Sequence, residues 1–118
     1  MIKCLKGIAL ILAAVVAQAG TADAQQIREG RYHPDNCPSG MSDMTITLSA
    51  GRIAFWESTC TLMNPVPVRD MGAAVLYDAQ CQGEGQTWTR RYLLMPGFRG
   101  DLVLVGEGWS QTYVYCGP

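Results

Sequence analysis

The stretch Met44-Thr-Ile-Thr-Leu-Ser-Ala-Gly-Arg-Ile-Ala-Phe-Trp-Glu57 alternates apolar and polar residues on both sides of Ala50-Gly51. A period of two marks a half-buried strand, and two such runs about a short Gly-containing break read as a hairpin. With Ala50 and Gly51 as the loop, Ser49 faces Arg52, Leu48 faces Ile53, Ile46 faces Phe55 and Met44 faces Glu57. Leu48, Ile46, Ile53 and Phe55 then share one face, and Thr45, Thr47, Ala54 and Trp56 the other. A slip of one residue would turn the apolar set to water, so the pattern selects one register. It leaves an anomaly, because Glu57 falls on the apolar row three residues before Cys60.

Outward from the hairpin the chain continues in short strands. Ile27–His33 reads as the first, with Gly30 marking a bulge or a close backbone approach. Pro34–Gly40 is turn material around Cys37. Asn64-Pro-Val-Pro67 is expected to break the ladder, since each proline lacks a donor, leaving Val68–Asp70 as a short edge strand. Ala73–Cys81, Thr87–Met95, Asp101–Val105 and Trp109–Cys116 follow, separated by Gln82–Gln86, Pro96–Gly100 and Gly106–Gly108. No stretch keeps a helical period between breakers. The predicted fold is all-β: an antiparallel meander barrel or sandwich of seven or eight short strands, with the barrel preferred because closure removes edges.

Residues 1–24 read as a cleaved signal peptide rather than part of the fold. Lys3 and Lys6 precede an apolar run from Gly7 to Ala17, and Ala22-Asp-Ala24 is a small-x-small cleavage signal. The run is too short to span a membrane as a helix. Residues 25–118 are then one domain, placed in the periplasm or the medium. Losing the leader removes both lysines and Asp23, so nine basic and ten acidic residues become seven and nine. A net acidic domain gives no support to nucleic acid or anionic lipid as a partner.

Cys37, Cys60, Cys81 and Cys116 remain, an even number in a short exported chain, and are expected as two disulfides. No C-x-x-C pair exists and His33 is the only histidine, so no zinc site is expected, nor any other metal or cofactor. The hairpin register carries Cys60 towards Cys37, which predicts Cys37–Cys60 and Cys81–Cys116.

Three constellations bear on chemistry. A carboxylate on a buried row needs a counter-charge, so Glu57 is predicted to be partly buried against Arg90 or Arg91 in preference to Arg69. Glu84 and Glu107 sit in the near-repeats Gly83-Glu-Gly85 and Gly106-Glu-Gly108, two turns that would line one end of a barrel. Trp56, Trp88, Trp109, Tyr92, Tyr113 and Tyr115, with the two arginines, form an aromatic and guanidinium set suited to a binding surface. Trp56, Trp88, Trp109 and Tyr113 are the candidates for that surface. No Gly-x-Ser-x-Gly elbow, P-loop or dinucleotide fingerprint is present, and no catalytic residue is assigned.

The leader, Gly30-Arg-Tyr32 ahead of the first mature cysteine, Ser49-Ala-Gly-Arg52, Glu57-Ser-Thr-Cys60 and Cys81-Gln-Gly-Glu-Gly85 before Trp88 together resemble a group of small exported proteins of alphaproteobacteria. The resemblance covers most of residues 25–118 and implies no activity. In size and disulfide content the chain is also similar to periplasmic inhibitors of C-type lysozyme, which implies a small β-barrel; their Ser-Gly-x-x-Tyr inhibitory loop is absent. These observations favour a non-enzymatic binding domain with a protein or glycan partner. One alternative is an inhibitor of a lysozyme-like hydrolase. Another is a small hydrolase using paired carboxylates, which would require two of Glu57, Glu84 and Glu107 to converge on one cleft about 5–10 Å apart.

Overall fold

The computed structural model describes residues 27–118. The expected signal peptide, residues 1–24, lies outside them. Eight strands run in chain order: β1 Gly30–His33, β2 Ile46–Ser49, β3 Arg52–Ala54, β4 Thr59–Pro67, β5 Val75–Gly83, β6 Gln86–Pro96, β7 Leu102–Gly106 and β8 Trp109–Tyr115. Each pairs antiparallel with its neighbours, and β8 returns to β1, closing the barrel. No helix among the described residues is long and apolar enough to cross a membrane.

The central hairpin holds the expected register for three pairs, Ser49–Arg52, Leu48–Ile53 and Thr47–Ala54. Ala50 and Gly51 both adopt positive φ, 52° and 77°, the left-handed pair whose twist matches that of the flanking strands. The ladder ends sooner than predicted. The amide of Phe55 donates to the Ser58 carbonyl at 2.7 Å, turning the chain at Phe55–Ser58 and removing Glu57 from the strand.

Alternation decides the interior. Tyr32, Ile46, Leu48, Ile53, Leu94, Leu102 and Leu104 are buried within the barrel, with Cys60, Ala79, Cys81, Tyr92 and Tyr113. An eight-stranded barrel has an interior just wide enough for side chains to fill it. The hydroxyl of buried Tyr32 donates to the Arg28 carbonyl at 2.6 Å, so its polar end is satisfied.

Two sequence expectations are corrected here. Asn64-Pro-Val-Pro67 does not break the ladder; it lies inside β4, where the register against β5 shifts between Met63 and Val66. β3 reaches only Thr59–Thr61 of β4, so Pro65 and Pro67 stand on a free edge where a missing N–H costs no ladder bond. Val68–Asp70 is accordingly turn, with the Val68 amide donating to the Ala74 carbonyl at 2.9 Å. The unbroken β4–β5 hairpin then overturns the predicted disulfide pairing. Cys60 and Cys81 are direct cross-strand partners with Cα atoms 3.9 Å apart and bond to each other. The second bridge is Cys37–Cys116, whose partners are 79 positions apart in sequence. On the chain-entropy model bridges spanning loops of these lengths contribute about 3–5 kcal/mol each.

Gly30 is a close backbone approach. It has φ 144°, and a Cβ there would collide with the Gly117 carbonyl and the Tyr115 ring where β1 meets the C-terminal segment. Gly30→Ala is therefore expected to lower stability in urea by about 1–3 kcal/mol. Gly40→Ala, with ordinary φ and open space around it, is expected to stay within about 0.5 kcal/mol of wild type.

Candidate functional site

Two neighbouring regions hold three of the functional candidates singled out from sequence, Trp56, Glu57 and Glu84. The first lies where the Phe55–Ser58 turn meets the β5–β6 turn. Glu84 and Gly85 form a two-residue hairpin loop with φ 48° and 77°. Gly83 allows the contact between the turns: a Cβ at that position would run into the Glu57 carbonyl and the Ser58 side chain. Glu57 and Glu84 thereby border the same open hollow. The hydrogen bond to the Glu84 carboxyl and then its negative charge hold the Glu57 pKa above the ordinary value of 4.5, with a smaller contribution from burial.

This placement contradicts the predicted Glu57–Arg pair. Glu57 is exposed, and its partner is another carboxylate. Arg91 instead bonds Asp78 at 3.0 Å, and Asp78 also accepts from the Asn64 side chain at 2.9 Å. The Asn64 bond is the main cause of a lowered Asp78 pKa; desolvation opposes it, and the bond and charge of Arg91 add to the lowering. The Arg90 guanidinium lies 6.0 Å from the centre of the Trp88 ring and donates to the Thr89 carbonyl. Arg69 reaches only its neighbour Asp70, at 3.8 Å. Glu107 does not join the Glu57–Glu84 hollow; it borders a separate one with Asp78, Arg90 and Arg91.

The aromatic set divides. Tyr113 is buried in the barrel, so it is not a surface residue. Trp109 sits at the rim with its ring edge-on to Tyr92, centroids 6.1 Å apart, and Trp88 is half-buried against the core. Trp56, in the turn that follows β3, is 53% exposed and borders the same groove as Thr45, Thr47 and Ala54.

Trp56 borders the second region, an outer groove of about 530 Å³. Its floor is Thr45, Thr47 and Ala54, its sides include Met41, Phe55 and Trp56, and Arg31 and the Cys37–Cys116 bridge border it as well. The groove exists because the β1–β2 connection folds back along the wall, pinned by that bridge. Met41 is 88% exposed and was not foreseen as functional; only knowledge of the bridge would have brought it beside Trp56.

Several of the polar groups around the groove bond within the molecule, whereas the Ser39, Thr45 and Thr47 hydroxyls that also line it make no such bond among the described residues. Arg31 donates to the carbonyls of Pro118 and Cys116, each at 3.3 Å. The Asp35 amide donates to His33 Nδ1, so Nε2 carries the proton and donates to Ser42 Oγ at 3.1 Å. That polarity is opposite to a serine activated by a histidine base. No group of three or more His, Cys, Asp or Glu side chains among the described residues is arranged to hold a metal ion. No known protein family, characterised protein or solved structure matches this chain.

The acidic pair makes stability depend on pH with the sign opposite to that of a Glu–Arg pair. A raised carboxyl pKa favours the fold while the group is protonated, and this contribution fades as pH rises from 4.5 through the higher folded value. Glu57→Gln should therefore raise the urea midpoint at pH 7, where it removes a like-charge contact. The difference from wild type should close below about pH 4, where the native glutamate is itself neutral. A lower midpoint at pH 7 would contradict the pairing with Glu84.

Proposed function

We propose that this protein is an exported, non-enzymatic binding module that holds an apolar side chain of a protein partner in the groove between Trp56 and Met41. The carrying observation is an exposed tryptophan and an exposed methionine bordering one groove, whose charged lining residue Arg31 is already bonded to the carbonyls of Cys116 and Pro118. A ligand entering it gains chiefly by burying apolar surface. Exposed tryptophan is a frequent energetic anchor of protein interfaces, and methionine adapts its shape to varied partners. A glycan would need several charged or forked donors around the ring, and the one guanidinium here, that of Arg31, is already engaged. Two disulfides on a small β-barrel suit an oxidising, extracytoplasmic compartment.

The paired carboxylates favour an enzyme less. Glycosidases of the two-carboxylate kind hold them about 5–9.5 Å apart across a substrate cleft, whereas Glu57 and Glu84 are both exposed, on two neighbouring turns around an open hollow. The test is affinity capture from periplasmic extract with the oxidised domain as bait. A partner should be retained by wild type and by Trp109→Ser, and lost by Trp56→Ser and Met41→Ser. Retention by all four proteins would remove the groove from the proposal, and elution by soluble glycan would replace the protein partner with a sugar.

A further inference from the structure

The β5–β6 hairpin is covered by β4 on its β5 side and leaves part of its β6 edge unpaired. β6 pairs with β5 along Gln86–Leu94, with no register shift. On its other side β7 reaches only Leu93–Pro96, so Gln86–Tyr92 has no strand partner there among the described residues. Natural proteins guard such edges with prolines, bulges or projecting charges. This one carries neither proline nor bulge. Its two arginines are both tied down: Arg91 bonds Asp78 on β5 at 3.0 Å, and Arg90 folds back over Trp88 onto the Thr89 carbonyl, an edge acceptor whose second lone pair stays open to a pairing strand.

We infer that this edge of β6 pairs with the same edge of a second copy of the chain, antiparallel and centred on Trp88. Thr87-Trp88-Thr89 is palindromic about that centre. The two-fold register sets Trp88 against Trp88 and Thr87 against Thr89, cross-strand pairs that stabilise sheets. It sets Gln86 against Arg90, so no like charges face one another. It also carries the β5–β6 turn of one copy, with Glu84, to the end of the other's free edge, beside Arg90 and Arg91. The strand lengths agree with this register, because the hairpin loop of one copy arrives where β7 of the other ends at Gly106. An unrelated extended peptide would satisfy the backbone of this edge but would lack the matched pairs, which is why the occupant is the chain itself.

An interface of one strand edge is small and weak, so the test is sedimentation velocity on the oxidised protein from about 5 to about 500 µM. The weight-average mass of wild type should rise towards twice the monomer's, and that of Trp88→Asp, which places like charges on the axis, should stay at the monomer's. Trp88 also packs against the core, so a second measurement tests the register without it. Thr87→Cys mixed with Thr89→Cys should form a disulfide-linked heterodimer several-fold faster than either variant alone. A wild-type protein that stays monomeric throughout, or cross-linking without heterotypic preference, would overturn the inference.

Discussion

The seam between β1 and β8 is the narrowest contact in the barrel, and the Cys37–Cys116 bridge crosses it. Only Tyr32–Tyr115 and His33–Val114 pair across the seam. Two backbone hydrogen bonds of 2.7 Å continue it past the end of β8, from the Arg31 amide to the Gly117 carbonyl and from the Cys116 amide to the Arg31 carbonyl. Tyr32 and Tyr115 meet edge to face, and the Arg28 guanidinium lies 3.8 Å from the Tyr115 ring centre. A ladder this short leaves closure to the covalent bond and the rings around it. The same bridge draws the β1–β2 connection back along the outer wall, and without that fold the floor of Thr45 and Thr47 would be open sheet rather than a groove. Closing the fold and building the candidate site are two consequences of one cross-link.

Cys60–Cys81 differs in setting. Both cysteines are buried at one rung of the β4–β5 ladder, so their bridge lies within the core and joins strands that already pair extensively. The two bridges thus divide their tasks, one reinforcing strands that already pair at length and the other securing the weakest contact of the sheet.

Much of the fold was legible in the sequence because strand alternation has a period of exactly two residues and reports directly on facing. It placed Ile46, Leu48 and Ile53 inside, and set Trp56 with Thr45 and Thr47, which it joins at the groove. What it missed was decided by groups that alternation does not describe. Glu57 was assigned to a buried row by extending a strand that in fact ends at Ala54, where the Phe55 amide turns to Ser58. Its meeting with Glu84 depends on Gly83, a residue legible from sequence only as turn material. The cysteine pairing was missed because the hairpin register was carried on to Cys60, whereas β3 ends at Ala54 and Cys60 lies on β4 opposite Cys81. Pro65 and Pro67 read as chain breaks, an inference that fails on the free edge left by a three-residue β3. Met41 and the groove wall depended in turn on the bridge, so one error of topology hid the most prominent surface feature.

The central claim is that Cys37–Cys116 holds the seam. Native-state hydrogen exchange on the Cys37→Ser/Cys116→Ser protein tests it most directly. The amides of Arg31 and Cys116 should lose most of their protection, while amides in the middle of the β5–β6 ladder keep theirs. Unchanged protection at the seam, or a uniform loss across the whole barrel, would contradict it.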